Sequence, residues 1–306
     1  SLHDALPILK ITKKLIKPFA TLLLGVFTLG ALIGCGNKTP VAEGYLWTAT
    51  KGDVTINLIG TMHPAPSTHN FFNKKVTKIL KNTDVLSVEA DITDMAKVTA
   101  SQDKLLNTSD KTAKNQLTED EIKKVNEILA PSNMNISALS VLTPAGIVSI
   151  LESTMYQGEN YTTSFDELLI KKSQEKGIEI HELESVDFQL DLLNNLYTWD
   201  DVKATIATVT DSSKKDETIK YLKDTFNAYV DGNIEFLEED VANMKKEVPE
   251  FYDALVTQRN IKMAENIDKL VKDGKNHTIA VGCKHFIGED SVLKELEKRG
   301  YTINRL

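Results

Sequence analysis

The sequence predicts an α/β fold of the α+β type, in which a mixed β-sheet is built from the N- and C-terminal segments and a large helical insertion lies between them. Strand-like apolar runs concentrate in residues 46–88 and 278–305, whereas helical patterns fill most of the stretch between them. A strand–helix–strand order over residues 54–89 is typical of a βαβ unit and favours parallel pairing of its two strands. No linker rich in Pro, Gly or Ser divides the chain, so we predict a single domain over residues 45–306.

The first elements are predicted to be a hairpin, a helix and a buried strand. Runs at 46–50 and 54–59 flank a turn sequence that contains Gly52, which is typical of a β-hairpin. Residues 70–81 place apolar side chains at roughly helical spacing. Residues 85–89 form a short apolar run that ends in an acid, which predicts a buried strand.

The middle of the chain shows helix start and stop signals. Thr118 and Glu121 form a capping box, and Pro144 suits the first turn of a helix that runs to about residue 156. Either Thr163 or Ser164 caps a further helix. The remaining elements are predicted in this order: a helix at 165–176, a strand at 178–183, helices over 185–272 with breaks near Asp211, Gly232 and Pro249, a strand at 278–281, a loop at 282–285, a helix at 288–298 and a strand at 301–305.

Composition excludes several classes of protein. The chain has 306 residues with 36 Lys+Arg against 44 Asp+Glu, a net charge of -8, and such an acidic chain is a poor binder of nucleic acid. Two cysteines exclude a disulfide framework and a zinc ribbon. The sequence contains no G-x-S-x-G elbow, Walker A loop, G-x-G-x-x-G or EF-hand motif.

The N-terminal segment has the layout of a secretory signal. Four lysines precede an uncharged apolar stretch at 19–34, which is too short at 1.5 Å per residue to cross a hydrocarbon core of about 30 Å. Its end, Leu32-Ile33-Gly34-Cys35, resembles a bacterial lipobox. We expect residues 1–34 to be a signal peptide, Cys35 to carry acyl chains such as palmitate, and residues 35–44 to be a polar tether. The protein would then sit on the extracytoplasmic face of the cell membrane; a short helical anchor is the alternative.

Two Gly-x-x-His segments are the main chemical signal. Gly60 precedes His63, and Gly282 precedes His285, each pair directly after a predicted strand. In α/β sheets, sites form beyond the carboxyl ends of strands, and a glycine there leaves room for a ligand. Two converging imidazoles bind a divalent metal or act as general bases; the alternative for each is a structural histidine. A third such spacing, ending at His277, precedes its strand and is discounted.

Two acids also follow predicted strands. Glu89 ends the apolar run at 85–89, where a carboxylate is costly to bury unless it is paired, so it is a candidate metal ligand or water-activating group. Glu184 follows the strand at 178–183, with Glu182 on the same side by alternation, so that at least one of the two is expected to face solvent. An exposed strand-end acid is the alternative reading of each.

Other candidates carry weaker signals. Arg259, beside Asn260 on a predicted helix, is a surface charge unless it clamps a substrate carboxylate or a developing oxyanion. Cys283 lies inside the second Gly-x-x-His segment and is interpreted as a small loop residue rather than a nucleophile.

An ordered set of short motifs across residues 45–306 resembles the TraB/GumN family, which is related to the Tiki proteins. The motifs are Asn57–His63, Val85–Asp91, Leu183-Glu184-Ser185 with Gln189, Arg259-Asn260 with Met263-Ala264, and Ala280–Gly288 with Arg299-Gly300-Tyr301. The resemblance implies a Tiki/erythromycin-esterase-like fold and a metal-dependent hydrolase, with Mn or Co favoured over Zn. By position it makes His63, Glu89 and His285 metal ligands, with Glu89, Glu184 and Arg259 catalytic. Lys284 and Cys283 fill positions that often hold small residues in that family.

The sequence thus predicts a membrane-anchored metallopeptidase-type hydrolase that acts on peptides or protein termini near the membrane. Gly60, Gly282, Arg259 and Asn260 would contact the substrate. One alternative is a metal-free hydrolase of the erythromycin-esterase type, with His as general base. Another is a non-enzymatic lipoprotein that sequesters a peptide in the same cleft.

Overall fold

A computed structural model describes residues 39–156 and 159–306 of the chain. The predicted signal peptide, Cys35 and the first part of the tether lie outside the described residues. Within the described ranges, no helix combines the length and apolarity needed to cross a membrane.

One mixed sheet of six strands organises the described residues. The strands are β1 (Tyr45–Lys51), β2 (Val54–Thr61), β3 (Val85–Val88), β4 (Glu179–Glu182), β5 (His277–Gly282) and β6 (Thr302–Arg305). Their order across the sheet is β4-β3-β5-β2-β1-β6. Strands β1, β2, β5 and β6 come from the two ends of the domain, which confirms the predicted assembly from N- and C-terminal segments.

The hairpin forms as predicted, but β2 and β3 are not neighbours. β1 pairs antiparallel with β2 and with β6. β5 lies between β2 and β3 and pairs parallel with both, and β3 pairs parallel with β4. The expected direct pairing of β2 with β3 was therefore wrong. β5 is buried along nearly its whole length, and such an apolar strand gains most from a central position with a neighbour on each side.

Helices cover the sheet and supply the insertion. Between β2 and β4 they are Lys74–Lys81, Met95–Ser101, Ala113–Gln116, Glu119–Leu129, Ile136–Leu139, Pro144–Met155 and Phe165–Glu175, with 3₁₀ turns at Gln102–Leu105 and Ala130–Ser132. Between β4 and β5 they are Val186–Leu196, Trp199–Val209, Ser212–Asp231, Ile234–Glu247, Pro249–Tyr252 and Gln258–Leu270, with a π-helical segment at Asp253–Thr257. After β5 come a 3₁₀ turn, Cys283–Phe286, and the helix Val292–Lys298.

Local signals located most helix ends. The capping box of Thr118 and Glu121 is present, and Ser164, rather than Thr163, caps the helix Phe165–Glu175. Gly232 ends the helix Ser212–Asp231 with a left-handed φ of 64°, a conformation that glycine adopts without steric cost. The predicted loop after β5 is instead a 3₁₀ turn. A break before Thr198 was missed, although Thr198 and Asp201 form a capping box of their own.

The sheet places the candidate site residues at one edge. β2, β3, β4 and β5 run parallel, so their carboxyl ends meet on the same side. The residues that follow those ends are His63, Glu89, Glu184 and His285. The observed strand order therefore brings the candidate residues together, as the two Gly-x-x-His segments indicated.

Candidate active site

His63 leaves the end of β2 and is held by a carboxylate from a distant helix. Its Nδ1 lies 2.8 Å from Oδ2 of Asp166, in the first turn of the helix Phe165–Glu175. Thr61 donates to Oδ1 of the same carboxylate at 2.5 Å, and Ser164 donates to Oδ2 at 3.1 Å. Because Asp166 accepts at Nδ1, the Nε2 atom of His63 is the nitrogen left to act on a ligand.

The Asp166 carboxylate also favours the protonated form of His63. Burial opposes a charge on the ring, but the ion pair and hydrogen bond with Asp166 outweigh it and raise the pKa of His63 above its ordinary value. A histidine held in this way by a carboxylate is a stronger base than a free imidazole.

His285 is oriented by an amide instead of a carboxylate. Its Nδ1 lies 2.6 Å from Oδ1 of Asn260, while Nδ2 of Asn260 donates to the backbone carbonyl of Asp290 at 2.7 Å. Since the amide nitrogen is committed to that carbonyl, the oxygen faces the ring and Nδ1 must donate. Burial and the nearby charge of Arg259 lower the pKa of His285 to about 4, so the ring is neutral at neutral pH, with Nε2 unprotonated.

Glu89 stands at the centre of the site as a fixed carboxylate. Oε2 accepts from Arg259 at 2.6 Å and from Gln189 at 3.2 Å, and Oε1 accepts from the backbone N–H of Gly282 at 2.7 Å. Nε2 of His285 lies 3.7 Å from Oε1. Burial would raise the pKa of Glu89, but Arg259, followed by the two histidines and the Gly282 N–H, lowers it to about 2.

Arg259 is buried and holds two carboxylates together. Its Nε and Nη2 donate to the two oxygens of Glu184 at 2.9 and 2.8 Å, which is a bidentate geometry. Nη2 also reaches Glu89, and Nη1 donates to the carbonyl of Leu255 at 3.2 Å. Its side chain is 2% exposed. The alternative of a surface charge is therefore wrong for Arg259, and its contacts favour positioning Glu89 over clamping a substrate.

Glu184 and Glu182 separate at the end of β4. Glu184 is buried on Arg259, and its backbone N–H donates to the carbonyl of Glu89 at 2.8 Å. Glu182 lies apart from this pair and forms an ion pair with Lys97. Of the two neighbouring acids, only Glu184 therefore joins the site.

The two motif glycines make room in different ways. A Cβ on Gly282 would lie 3.2 Å from Oε1 of Glu89, 3.7 Å from Cδ2 of His285 and 3.9 Å from Cε1 of His63, so three candidate groups surround this position. A Cβ on Gly60 would instead lie 2.9 Å from the Cβ of Cys283. Gly60 thus permits close packing of the two Gly-x-x-His segments, and Gly282 keeps the space among the functional groups open.

A cavity of about 150 Å³ opens onto these groups. His63, Glu89, Arg259, Gly282 and His285 line it on one side. The rest of its lining is largely apolar and comes from the helices Ser212–Asp231 and Ile234–Glu247 and from the π-helical segment, with a polar group of Tyr221, Asp240 and Lys284.

Cys283 also contacts this cavity but lacks the character of a nucleophile. It is buried, and burial raises the pKa of its thiol to about 12, so the thiol stays protonated near neutral pH. This environment agrees with its interpretation as a small loop residue rather than a nucleophile, although the predicted loop is a 3₁₀ turn.

The donor chemistry of the site suits a divalent metal, although the side chains do not form a closed cage. Among the described residues, no group of three or more His, Cys, Asp or Glu side chains is arranged to hold a metal ion. However, His63 and His285 each have Nδ1 fixed by an oxygen, which is how metal-binding imidazoles are commonly oriented. Their Nε2 atoms and Oε1 of Glu89 form a donor set of two imidazoles and one carboxylate.

The sequence predicted most residues of this site but not Asp166, which orients His63. His63, Glu89, Glu184, Arg259, Gly282 and His285 come together as expected, and Asn260 lies on His285. Asp166 was missed because an acid in the first turn of a helix ordinarily interacts with the helix dipole, and nothing nearby in the sequence connects it to His63.

The whole folded region matches a known protein family. The sequence profile of the TraB/PrgY/gumN family matches residues 45–305. The chain belongs to this family. The predicted resemblance is therefore confirmed, and several of the residues that carried it, among them His63, Glu89 and His285, line the cavity at this edge of the sheet.

A shorter similarity links this TraB/PrgY/gumN family member to a protein described as "Metalloprotease TIKI homolog" from Amphimedon queenslandica. The two are 41% identical over 54 residues, which are 17% of this chain and 11% of the relative. The match thus spans a small part of the relative's length. No solved structure matches the chain.

Proposed function

We propose that this TraB/PrgY/gumN family protein is a metal-dependent hydrolase that cleaves peptides or protein termini. The observation that carries the proposal is the convergence around Gly282, where His63, Glu89 and His285 all lie within 4 Å of one Cβ position. Two imidazoles and a carboxylate at one point are a donor set for a divalent cation. The name of the relative matched over 54 residues, "Metalloprotease TIKI homolog", supports peptides as the substrate class.

Some of the site residues would hold the metal, and the others position these ligands. His63 and His285 would hold the metal through Nε2, with Glu89 as the carboxylate ligand. Arg259 and Glu184 fix Glu89, while Asp166 and Asn260 fix the two imidazoles. A bound Mn or Co ion, which the family resemblance favours over Zn, would supply Lewis-acid activation of water and of the substrate carbonyl.

The low pKa of Glu89 bears on whether this residue acts as a metal ligand or as the general base. A carboxylate with a pKa of about 2 is ionised and well suited to bind a cation, but it is a weak proton acceptor. Glu184 has both oxygens occupied by Arg259 and Gln189. Within this set, Glu89 therefore serves as a ligand more readily than as a general base.

We also propose that the protein is held on the extracytoplasmic face of the cell membrane by a lipid on Cys35. The support is the sequence Leu32-Ile33-Gly34-Cys35 behind a basic and apolar segment. Replacement of the cysteine, Cys35→Ala, should shift the protein from the membrane fraction to the soluble fraction. Unchanged fractionation of the variant would rule out the anchor.

Metal content and turnover test the main proposal. The wild-type protein, purified without chelator, should contain a divalent transition metal and hydrolyse a pool of short peptides in the presence of Mn or Co. The double variant His63→Ala, His285→Ala should lose both properties. A second double variant, His69→Ala, His181→Ala, removes two histidines outside the site and should keep both. Survival of metal and activity in the first variant would refute the proposal.

The His63–Asp166 pair supports a second candidate, a metal-free hydrolase. The carboxylate holds Nδ1 at 2.8 Å and raises the pKa of His63, which are the features of a histidine general base. In that case activity would survive complete removal of metal by a chelator but not the substitution His63→Ala. Activity that returns only when Mn or Co is added back would favour the metal-dependent function.

A further inference from the structure

We infer that Lys284 is the catalytic cation of this site, donating a hydrogen bond to the substrate carbonyl oxygen as that oxygen gains negative charge. The inference rests on the proposed hydrolase function and deepens it. Lys284 immediately precedes His285 in the 3₁₀ turn Cys283–Phe286, and both residues line the 150 Å³ cavity.

The other positively charged side chain that lines the cavity, Arg259, is already paired with carboxylates of the protein. Among the described residues that line the cavity, Arg259 and Lys284 are the arginine and lysine side chains. Arg259 donates to both oxygens of Glu184, to Glu89 and to the Leu255 carbonyl, and only 2% of its side chain is exposed. A substrate oxygen could reach it only by breaking a buried ion pair.

The Lys284 ammonium is held by two neighbours and keeps one N–H donor for a ligand. Its Nζ lies 2.6 Å from Oδ2 of Asp240 and donates to the hydroxyl of Tyr221 at 3.1 Å. An ammonium has three N–H donors, so these two contacts within the described part of the chain leave one for a ligand. The side chain is 32% exposed, in contrast to that of Arg259.

The surroundings of Lys284 make it a fixed positive donor. Tyr221 donates its hydroxyl to Oδ1 of Asp240, so the two helices that carry these residues hold the ammonium from two sides. Asp240 supplies a counter-charge 2.6 Å from Nζ, and the Tyr221 hydroxyl accepts a second N–H of the ammonium. A donor that is charged and already oriented needs no rearrangement when charge develops on the substrate.

The reaction defines what Lys284 would stabilise. In peptide hydrolysis, a water oxygen bonds to the carbonyl carbon, and the C=O π electron pair moves onto the oxygen that faces Lys284. Return of that pair breaks the C–N bond, and the amine nitrogen takes up a proton. One water is consumed, and one carboxylic acid and one amine are formed. Lys284 stays protonated throughout and acts by its charge and hydrogen bond.

Two measurements on Lys284→Met test the inference. With a pool of N-acetylated short peptides, kcat should fall by about 10²–10³-fold, the usual loss when one oxyanion donor is removed. In equilibrium binding, the wild type should prefer phosphinic pseudopeptides, which carry an anionic tetrahedral oxygen, over matched ketomethylene pseudopeptides. Lys284→Met should reduce that preference by about tenfold or more, whereas Lys284→Arg should keep part of it.

A matched control separates catalysis from structure. Lys104 forms an ion pair with Asp191, neither residue lines the cavity, and the Lys104 side chain has nearly the same exposure, 31%. Lys104→Met should therefore leave kcat and the binding preference unchanged. If Lys284→Met does not fold, Lys284→Gln removes the charge while keeping a hydrogen-bond donor, and it should lower both kcat and the binding preference, although by less than Lys284→Met.

The possible results are distinguishable. Unchanged kcat in Lys284→Met, or equal binding of both pseudopeptides by the wild type, would overturn the inference even if hydrolysis is confirmed. A wild type that hydrolyses no peptide but shows a Lys284-dependent preference for the phosphinic compounds would refute the hydrolase function while supporting Lys284 as the oxyanion donor. A wild type that neither binds nor hydrolyses these compounds would refute both.

Discussion

The carboxylate of Asp166 lies 2.8 Å from Nδ1 of His63, although 103 residues separate them in the chain. This contact fixes the imidazole at the end of β2, where it shares the cavity with Glu89 and His285. Groups that orient a ligand or a base in this way commonly matter nearly as much as the group they orient.

Removal of the Asp166 charge should therefore impair the site without unfolding it. Asp166→Asn is expected to lower metal affinity, or kcat/KM in the peptide assay, by about 10–100-fold, because the acceptor at Nδ1 of His63 loses its negative charge. Titration with Mn or Co and steady-state kinetics would measure both. Asp216→Asn, an exposed change on the helix Ser212–Asp231, should behave as wild type. Equal values for the two variants would show that Asp166 does not act through His63.

Removal of the Arg259 side chain should destabilise the protein strongly. Arg259→Met leaves Glu89 and Glu184 buried without their counter-charge, which is expected to cost about 3–5 kcal/mol of unfolding free energy. Urea denaturation would measure the loss. Lys262→Met, an exposed change on the same helix, should alter stability by less than about 0.5 kcal/mol. A loss below about 1 kcal/mol in Arg259→Met would mean that the carboxylates find other partners.

The two motif glycines should respond differently to a methyl group. Gly282→Ala places a Cβ 3.2 Å from Oε1 of Glu89 and should lower kcat/KM by about 10–100-fold by displacing the functional groups. Gly60→Ala meets the Cβ and backbone of Cys283 at 2.9 and 3.1 Å and should cost about 1–3 kcal/mol of stability.

A third glycine provides the control for this pair. Gly146→Ala lies in a helix, and the nearest atom to its new Cβ would be at 3.5 Å, so neither activity nor stability should fall. Full activity in Gly282→Ala would argue against a ligand space at that position.

Acid should weaken the fold through Glu89. The pKa of Glu89 is about 2 in the folded protein against 4.5 for the free side chain, so protons bind more tightly to the unfolded state. Its contribution to stability is complete above pH of about 4.5 and is lost as the pH falls towards about 2. Urea midpoints measured across this range should fall less steeply for Glu89→Gln than for wild type. The exposed change Glu119→Gln should follow the wild-type curve, and parallel curves for all three proteins would contradict the predicted link.

The sequence predicted the strands and the strand-end residues well because both depend on local patterns. Apolar runs, turn residues and caps such as Thr118 act over a few positions, and a residue directly after a strand must lie at the sheet edge. The place of β5 between β2 and β3 depends on packing between distant segments, so it left no local signal. The same holds for Asp166 and Asp240, whose partners are far away in the chain.

Arg259 shows why charge alone misled the sequence reading. An arginine on a helix rich in lysine and acid looks solvent-exposed, yet this side chain is buried between two carboxylates. Only the tertiary arrangement shows that its charge is cancelled inside the fold.

The central position of β5 also sets the order in which this protein can assemble. β5 and the turn that carries Lys284 and His285 follow β2 and β3 in the chain only after the long helical insertion, yet both flanking strands need β5 to close the sheet. Contacts between chain regions so far apart form slowly and late in folding. The candidate site therefore forms only after β5 has joined its two neighbouring strands, which brings His285 to His63 and Glu89.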